Sequence, residues 1–141
     1  MPSNLRKAAE QLKGVGFAAS VEDAVREADL VVDCVPDELE SKLEIFSLLD
    51  RMSPPRAVLV TPTRTLSIAD LASCTYRAER CIAVKFEDEN LRTGGKLELV
   101  STSLTSEQVL NAVESFWTKS GFSVELRTDP WEASVTAGTL F

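Results

Sequence analysis

Short runs of β-branched and apolar residues alternate along this chain with stretches whose apolar residues recur at helical spacing. That alternation confines it to an α/β sheet covered by helices. Residues 30–35 (LVVDCV) form a run of strand length between Asp29 and Pro36. Leu39, Leu43, Phe46 and Leu49/Met52 follow at helical spacing over residues 38–52, and Pro54-Pro55 stops that helix. Residues 57–61 (AVLVT), 81–86 (CIAVKF) and 97–101 (LELVS) read as further strands, and residues 67–73 as a short helix capped by Ser67. Thr105-Ser-Glu-Gln108 is a capping-box signature for a helix whose stripe is Val109, Val113 and Phe116/Trp117; Gly121 ends it, and a last strand spans 122–126.

Ahead of these, Ser3 caps an expected helix over residues 5–13, closed by Gly14 and Gly16. Residues 17–20 read as a short strand, and Ser20-Val-Glu-Asp23 opens a helix over 21–27. Past Pro130 the chain is small and polar, and loose order is expected. Strands that are apolar throughout are covered on both faces, so the expected fold is an α/β sheet with helices on either side. At 141 residues it forms one domain.

Charge and composition exclude several functions. Fifteen Lys+Arg against 22 Asp+Glu give a net charge of −7 with no basic cluster, so nucleic acid is not the expected partner. No apolar run reaches the ~18 residues of a membrane span, and the N-terminus does not read as a signal peptide. Cys34, Cys74 and Cys81 are an odd, widely spaced set that suits reduced thiols in the cytoplasm, with Cys34 and Cys81 packed in strands. The absence of histidine removes the most usual general base and the commonest metal ligand. No metal site is expected: Glu87-Asp88-Glu89, with Glu98 nearby, reads as a solvated acidic loop, and the pairs Asp37/Glu38 and Asp129/Glu132 lack ordered ligand spacing. Trp131, beside Pro130, is harder to place in a core and suits an interface anchor.

Specific motifs then point to a family. Ala28-Asp-Leu-Val-Val-Asp-Cys-Val-Pro-Asp-Glu-Leu-Glu-Ser-Lys-Leu-Glu-Ile-Phe46 resembles the A-D-L-V-x-E-A-x-x-E-x-x-x-x-K-x-x-x-F segment of 3-hydroxyacyl-CoA dehydrogenases. Thr61-Pro-Thr-Arg-Thr-Leu-Ser-Ile68 resembles that family's S-N-T-S-S-L-x-I turn, and Arg80-Cys-Ile-Ala-Val-Lys-Phe86 its R-x-x-G-x-H-F strand. Lys96-Leu-Glu-Leu-Val100 resembles its K-L-V-E-V strand, and Thr105-Ser-Glu its T-S-x-E helix start. The resemblance covers about residues 20–130 in consistent order, and it implies a partial doubly wound, Rossmann-like, mostly parallel sheet with helices on both faces.

The departures carry functional weight. The family opens with a strand, a G-x-G-x-x-G turn and a helix that cradle a dinucleotide. Gly14-Val-Gly16 is the one G-x-G here and reads as a helix stop, so residues 1–141 look like a truncated domain. The family's proton-accepting histidine falls on Lys85. Its orienting glutamate falls on Glu98, with one extra residue allowed in the loop 90–95. A lysine paired with a carboxylate keeps its proton at neutral pH, so a Lys85–Glu98 ion pair is expected where a catalytic dyad would stand. The family's substrate-contacting serine falls on Arg64 and its asparagine on Pro62. Its cofactor-facing glutamate and lysine fall on Asp37 and Lys42; alternatively, Asp37 caps the helix beginning near Glu38 and Lys42 is solvated.

The resemblance therefore implies a degenerate relative without dehydrogenase activity, acting as a binding or oligomerising module with no cofactor, or NAD if any. The alternative is an NAD-dependent 3-hydroxyacyl-CoA oxidoreductase of fatty-acid metabolism, completed by another chain or by dimerisation. In the six-stranded dinucleotide fold, the run from Leu30 to Val35 corresponds to the fourth strand, which pairs with the first. Left open, that edge would be covered by residues 17–20, by a second copy, or by a further part of a longer product; self-association through it, or through the helices beside it, is expected.

Overall fold

The computed structural model describes residues 14–87 and 94–131; the helix expected over 5–13, residues 88–93 and the tail beyond Trp131 lie outside them. Three hydrophobic runs become β1 (Leu30–Val32), β2 (Val58–Pro62) and β3 (Cys81–Phe86). They lie parallel in sequence order, with Leu30 opposite Val58 and Leu59 opposite Cys81. The chain then reverses: β4 (Lys96–Thr102) runs antiparallel to β3, and β5 (Ser123–Asp129) runs parallel to β4. The five-stranded sheet has the order β1-β2-β3-β4-β5, so β1 and β5 are its edges.

Alternation along the strands divides the core in two. Leu59, Cys81, Ala83 and Val100 face one side, under α1 (Val21–Val25), α2 (Leu39–Met52) and α3 (Ile68–Ala72). Val58, Val60, Ile82, Val84, Leu97 and Leu99 face the other, under Val109 and Val113 of α4 (Glu107–Lys119). Each buried Leu, Phe or Val stabilises by roughly 1.5–3 kcal/mol, and the strands carry such residues on both faces, as the doubly wound reading requires. The end of α2 is closed by buried Arg77. Its Nε donates to Asp50 Oδ1 at 2.8 Å, while its two Nη atoms serve the carbonyls of Asp50, Ser53, Pro54 and Ala57.

Several local expectations need correction. Residues 17–20 form no strand. The first strand stops at Val32 because Asp33 Oδ1 accepts from Val35 N at 3.3 Å, a side-chain turn that leads the chain out of the sheet. Cys34, one residue past Asp33, is consequently exposed instead of packed. The helix start near residue 105 is capped by Ser106, whose Oγ accepts from Val109 N at 3.1 Å; Thr105 Oγ1 accepts from Thr102 N instead. Trp131 is half-buried against the core under α1–α3, so its apolar surface is partly satisfied within the chain.

Candidate functional site

The carboxyl ends of β1, β2 and β3 point the same way, and in open α/β sheets that is where ligands bind. A cavity of about 400 Å³ lies there, between Asp33, Cys34, Asp37 and Lys42 on one side and Thr63, Arg64 and Phe86 on the other. A second, of about 310 Å³, is lined by Lys85, Glu98, Lys96 and Glu125, and shares Arg64 and Phe86 with the first. All five residues singled out from sequence therefore converge on one end of the sheet. Their bonding partners differ from those expected.

Lys42 is the clearest case. It is not solvated: its side chain is 1% exposed, and Nζ donates to Asp33 Oδ1 at 2.7 Å. Position 42 lies on the buried stripe of α2 with Phe46 and Leu49, and a charge on such a stripe needs a buried counter-ion. Asp33, at the end of β1, supplies it. Asp33 is a cavity residue that the motifs do not single out; its signal in the sequence is an acid closing a strand with a lysine on the apolar face of the next helix.

Asp37 does not cap α2, whose N-cap, Glu38, makes no side-chain capping bond. Its Oδ1 accepts from Thr63 Oγ1 at 2.6 Å and its Oδ2 from Arg64 N at 2.9 Å. Thr63 Oγ1 in turn accepts from Leu66 N at 3.1 Å. Asp37 thus fastens the turn after β2 to the turn after β1, and Thr63 is a second residue the sequence reading did not single out. Pro62, the last residue of β2, also lines the larger cavity.

Lys85 and Glu98 stand opposite each other across β3 and β4, in the register the inserted loop residue implied. The expected ion pair between them is not the one formed. Glu98 Oε1 is held at 2.9 Å by Arg127 Nε, and Arg127 Nη1 also holds Asp129 Oδ1 at 2.8 Å. The reason is topological: β5 lies beside β4 with Glu98 opposite Glu125, and Arg127, two residues on, relieves that concentration of carboxylates.

Among the thiols, burial pushes the pKa of Cys81 up to about 12, partly opposed by its hydrogen bond with Thr75. Burial also raises Cys74. Cys34, exposed on the wall of the larger cavity, is the accessible one. Among the described residues no group of three or more Cys, Asp or Glu could hold a metal ion, and no helix is long and apolar enough to cross a membrane.

A mostly parallel sheet with helices on both faces and a crevice at the strand ends defines the Rossmann-like nucleotide-binding class. Residues 3–124 match the model of the 3-hydroxyacyl-CoA dehydrogenase NAD-binding domain, and the chain belongs to that family. It is 30% identical over 105 residues to the 3-hydroxybutyryl-CoA dehydrogenase of Clostridioides difficile, covering 74% of this chain and 37% of that protein. The corresponding enzyme of Bradyrhizobium diazoefficiens is 30% identical over 112 residues, 79% of this chain and 38% of the relative. The chain thus spans little more than a third of these relatives' length. The solved structure of a 3-hydroxyacyl-CoA dehydrogenase from Archaeoglobus fulgidus shares the fold with a TM-score of 0.74 at 23% identity, over 91% of this chain and 46% of that one.

Proposed function

We propose that this chain is a non-catalytic member of the 3-hydroxyacyl-CoA dehydrogenase family, serving as a binding or oligomerising module. The observation that carries this reading is the pairing around Lys85. Oxidation of a 3-hydroxyacyl group needs an acceptor for the hydroxyl proton. At the position where the resemblance places that acceptor stands a lysine, whose ammonium donates and does not accept. The carboxylate opposite, which would orient an acceptor, is turned to Arg127 at 2.9 Å. Arg64 adds a bulky cation where the resemblance puts a small hydroxyl.

The side chains that would face NAD do not fit that role. Both oxygens of Asp37 hold the turn after β2, and the Lys42 ammonium holds Asp33 inside the protein.

Calorimetric titration with NADH and then acetoacetyl-CoA, with a thermal-shift series, tests it. The expected result is no heat and no shift at millimolar ligand. Ligand at about 100 times its Kd would add roughly 2.7 kcal/mol of stability, so a micromolar site could not escape notice. Micromolar NADH binding with measurable turnover would refute the proposal and support an oxidoreductase completed by a second chain.

A further inference from the structure

We propose that Cys34 is a modification site for small disulfides that carry an amide N–H two carbons from sulfur. The resulting mixed disulfide seats that N–H on Asp33 in the larger cavity. The ligand class belongs to the binding-module reading above, and the proposal rests on that reading only there.

Two independent observations meet at the cavity. The first is the thiol. Cys34 is exposed, whereas Cys81 is buried and Cys74 partly so, and it stands on the wall of the cavity of about 400 Å³. The motif that residues 28–46 resemble has alanine at this place, so the sulfur is a departure of this chain. The second is an orphaned acceptor. Asp33 lines the same cavity, and its side chain is 1% exposed. Its Oδ1 accepts from Lys42 Nζ at 2.7 Å and from Val35 N at 3.3 Å, whereas its Oδ2 is buried with no hydrogen-bond partner. A buried carboxylate oxygen without a donor is destabilising, so a donor brought into the cavity finds an acceptor there. Asp37, the other cavity carboxylate, has both oxygens occupied.

The placement of these two groups selects the ligand. Cys34 is the middle residue of the turn that Asp33 Oδ1 closes onto Val35 N, so the thiol and the orphaned oxygen belong to neighbouring side chains. A donor tethered to the sulfur must therefore sit only a few bonds away. The Lys42 ammonium already matches the charge of Asp33. A neutral N–H completes the carboxylate, where a second cation would stand unmatched. Val35, Pro62, Val84 and Phe86 suit a short apolar linker to that N–H. An N-acyl-2-aminoethyl arm meets all three conditions, and N-acylated cysteamines and glutathione share its spacing. In the exchange, the Cys34 thiolate attacks one sulfur of the small disulfide. A bond forms between Cys34 Sγ and that sulfur, the reagent's own disulfide bond breaks, and the departing thiolate takes up the proton that Cys34 released. Cys34 is oxidised to the mixed disulfide, and the departing half of the reagent is reduced to a thiol.

Titration of the full chain compares N,N′-diacetylcystamine and glutathione disulfide with bis(2-acetoxyethyl) disulfide, the ester that lacks the N–H. Intact mass and peptide mapping read the mixed disulfide at each cysteine, and the urea-unfolded chain supplies each reagent's reference. The expected adduct is at Cys34 alone. Folding should raise the exchange constant of at least one amide reagent about tenfold over that of the ester, the scale of one hydrogen bond to a charged group. The stronger of the two amides identifies the source of the arm. Asp33→Leu with Lys42→Met removes the acceptor, keeps the thiol and should abolish the difference while Cys34 still reacts. Equal constants for the amides and the ester overturn the proposal. So does a difference that survives in the double variant, or an adduct spread over all three cysteines. The amide–ester comparison decides alone if the double variant does not fold. NADH binding with turnover would instead overturn the non-catalytic reading and leave the Cys34 result standing.

Discussion

Replacing Lys42 by methionine separates the structural from the ligand-facing role of this side chain. The Asp33 and Lys42 side chains are each 1% exposed and meet at 2.7 Å. Methionine keeps the length of the lysine stem but removes the ammonium, leaving a buried carboxylate whose remaining partner is Val35 N at 3.3 Å. Breaking a buried pair from one side commonly costs about 3–5 kcal/mol, because the surviving charge is left without compensation. For a chain of this size that is a drop in Tm of roughly 10–20 °C. The double variant Asp33→Leu with Lys42→Met removes both charges and should recover most of the loss, since a buried pair and an apolar pair of similar volume differ little. Urea denaturation followed by circular dichroism measures all three proteins. A Lys42→Met protein within about 1 kcal/mol of wild type would refute the reasoning. It would mean that the ammonium is solvated and open to a ligand.

Arg77→Ala removes five bonds around the end of α2 and leaves Asp50, at 8% exposure, without its counter-ion and holding only the Tyr76 N–H; a loss of about 3–5 kcal/mol is expected in the same assay. Ser106→Ala should cost about 1 kcal/mol through loss of the α4 cap, and an unchanged denaturation midpoint would return the capping role to Thr105. Cys81 keeps its proton in the folded state up to about 12 against an ordinary 9.0. Its stabilising contribution is therefore complete below pH 9 and is lost as pH rises from 9 towards 12, by about 1.4 kcal/mol per pH unit. Cys81→Ala should flatten the pH dependence of unfolding in that window by one proton. Under native conditions a thiol reagent should label Cys34 first, with Cys74 and Cys81 protected until unfolding; equal rates for all three would contradict the burial pattern.

The sequence by itself determined the architecture. Apolar runs of strand length, separated by stretches of helical period, have few ways to bury themselves, and short-range signals such as Ser20, Ser67 and Gly121 placed element ends within a residue or two. It also brought Arg64, Lys85, Glu98, Asp37 and Lys42 to one end of the sheet, because strand direction alone decides which residues share that end. Partners within the site were decided by the tertiary structure. Lys42 turns inward because α2 lays its apolar stripe on the sheet where Asp33 ends β1. Glu98 turns from Lys85 to Arg127 because β5 adds itself beside β4, a neighbour that local sequence does not announce. Cys34 moves from the core to the cavity wall because one side-chain turn ends its strand three residues early. Periodicity is a property of neighbouring residues and can be read along the chain; the choice of one counter-ion among several depends on which strands become adjacent, and only the folded sheet settles that.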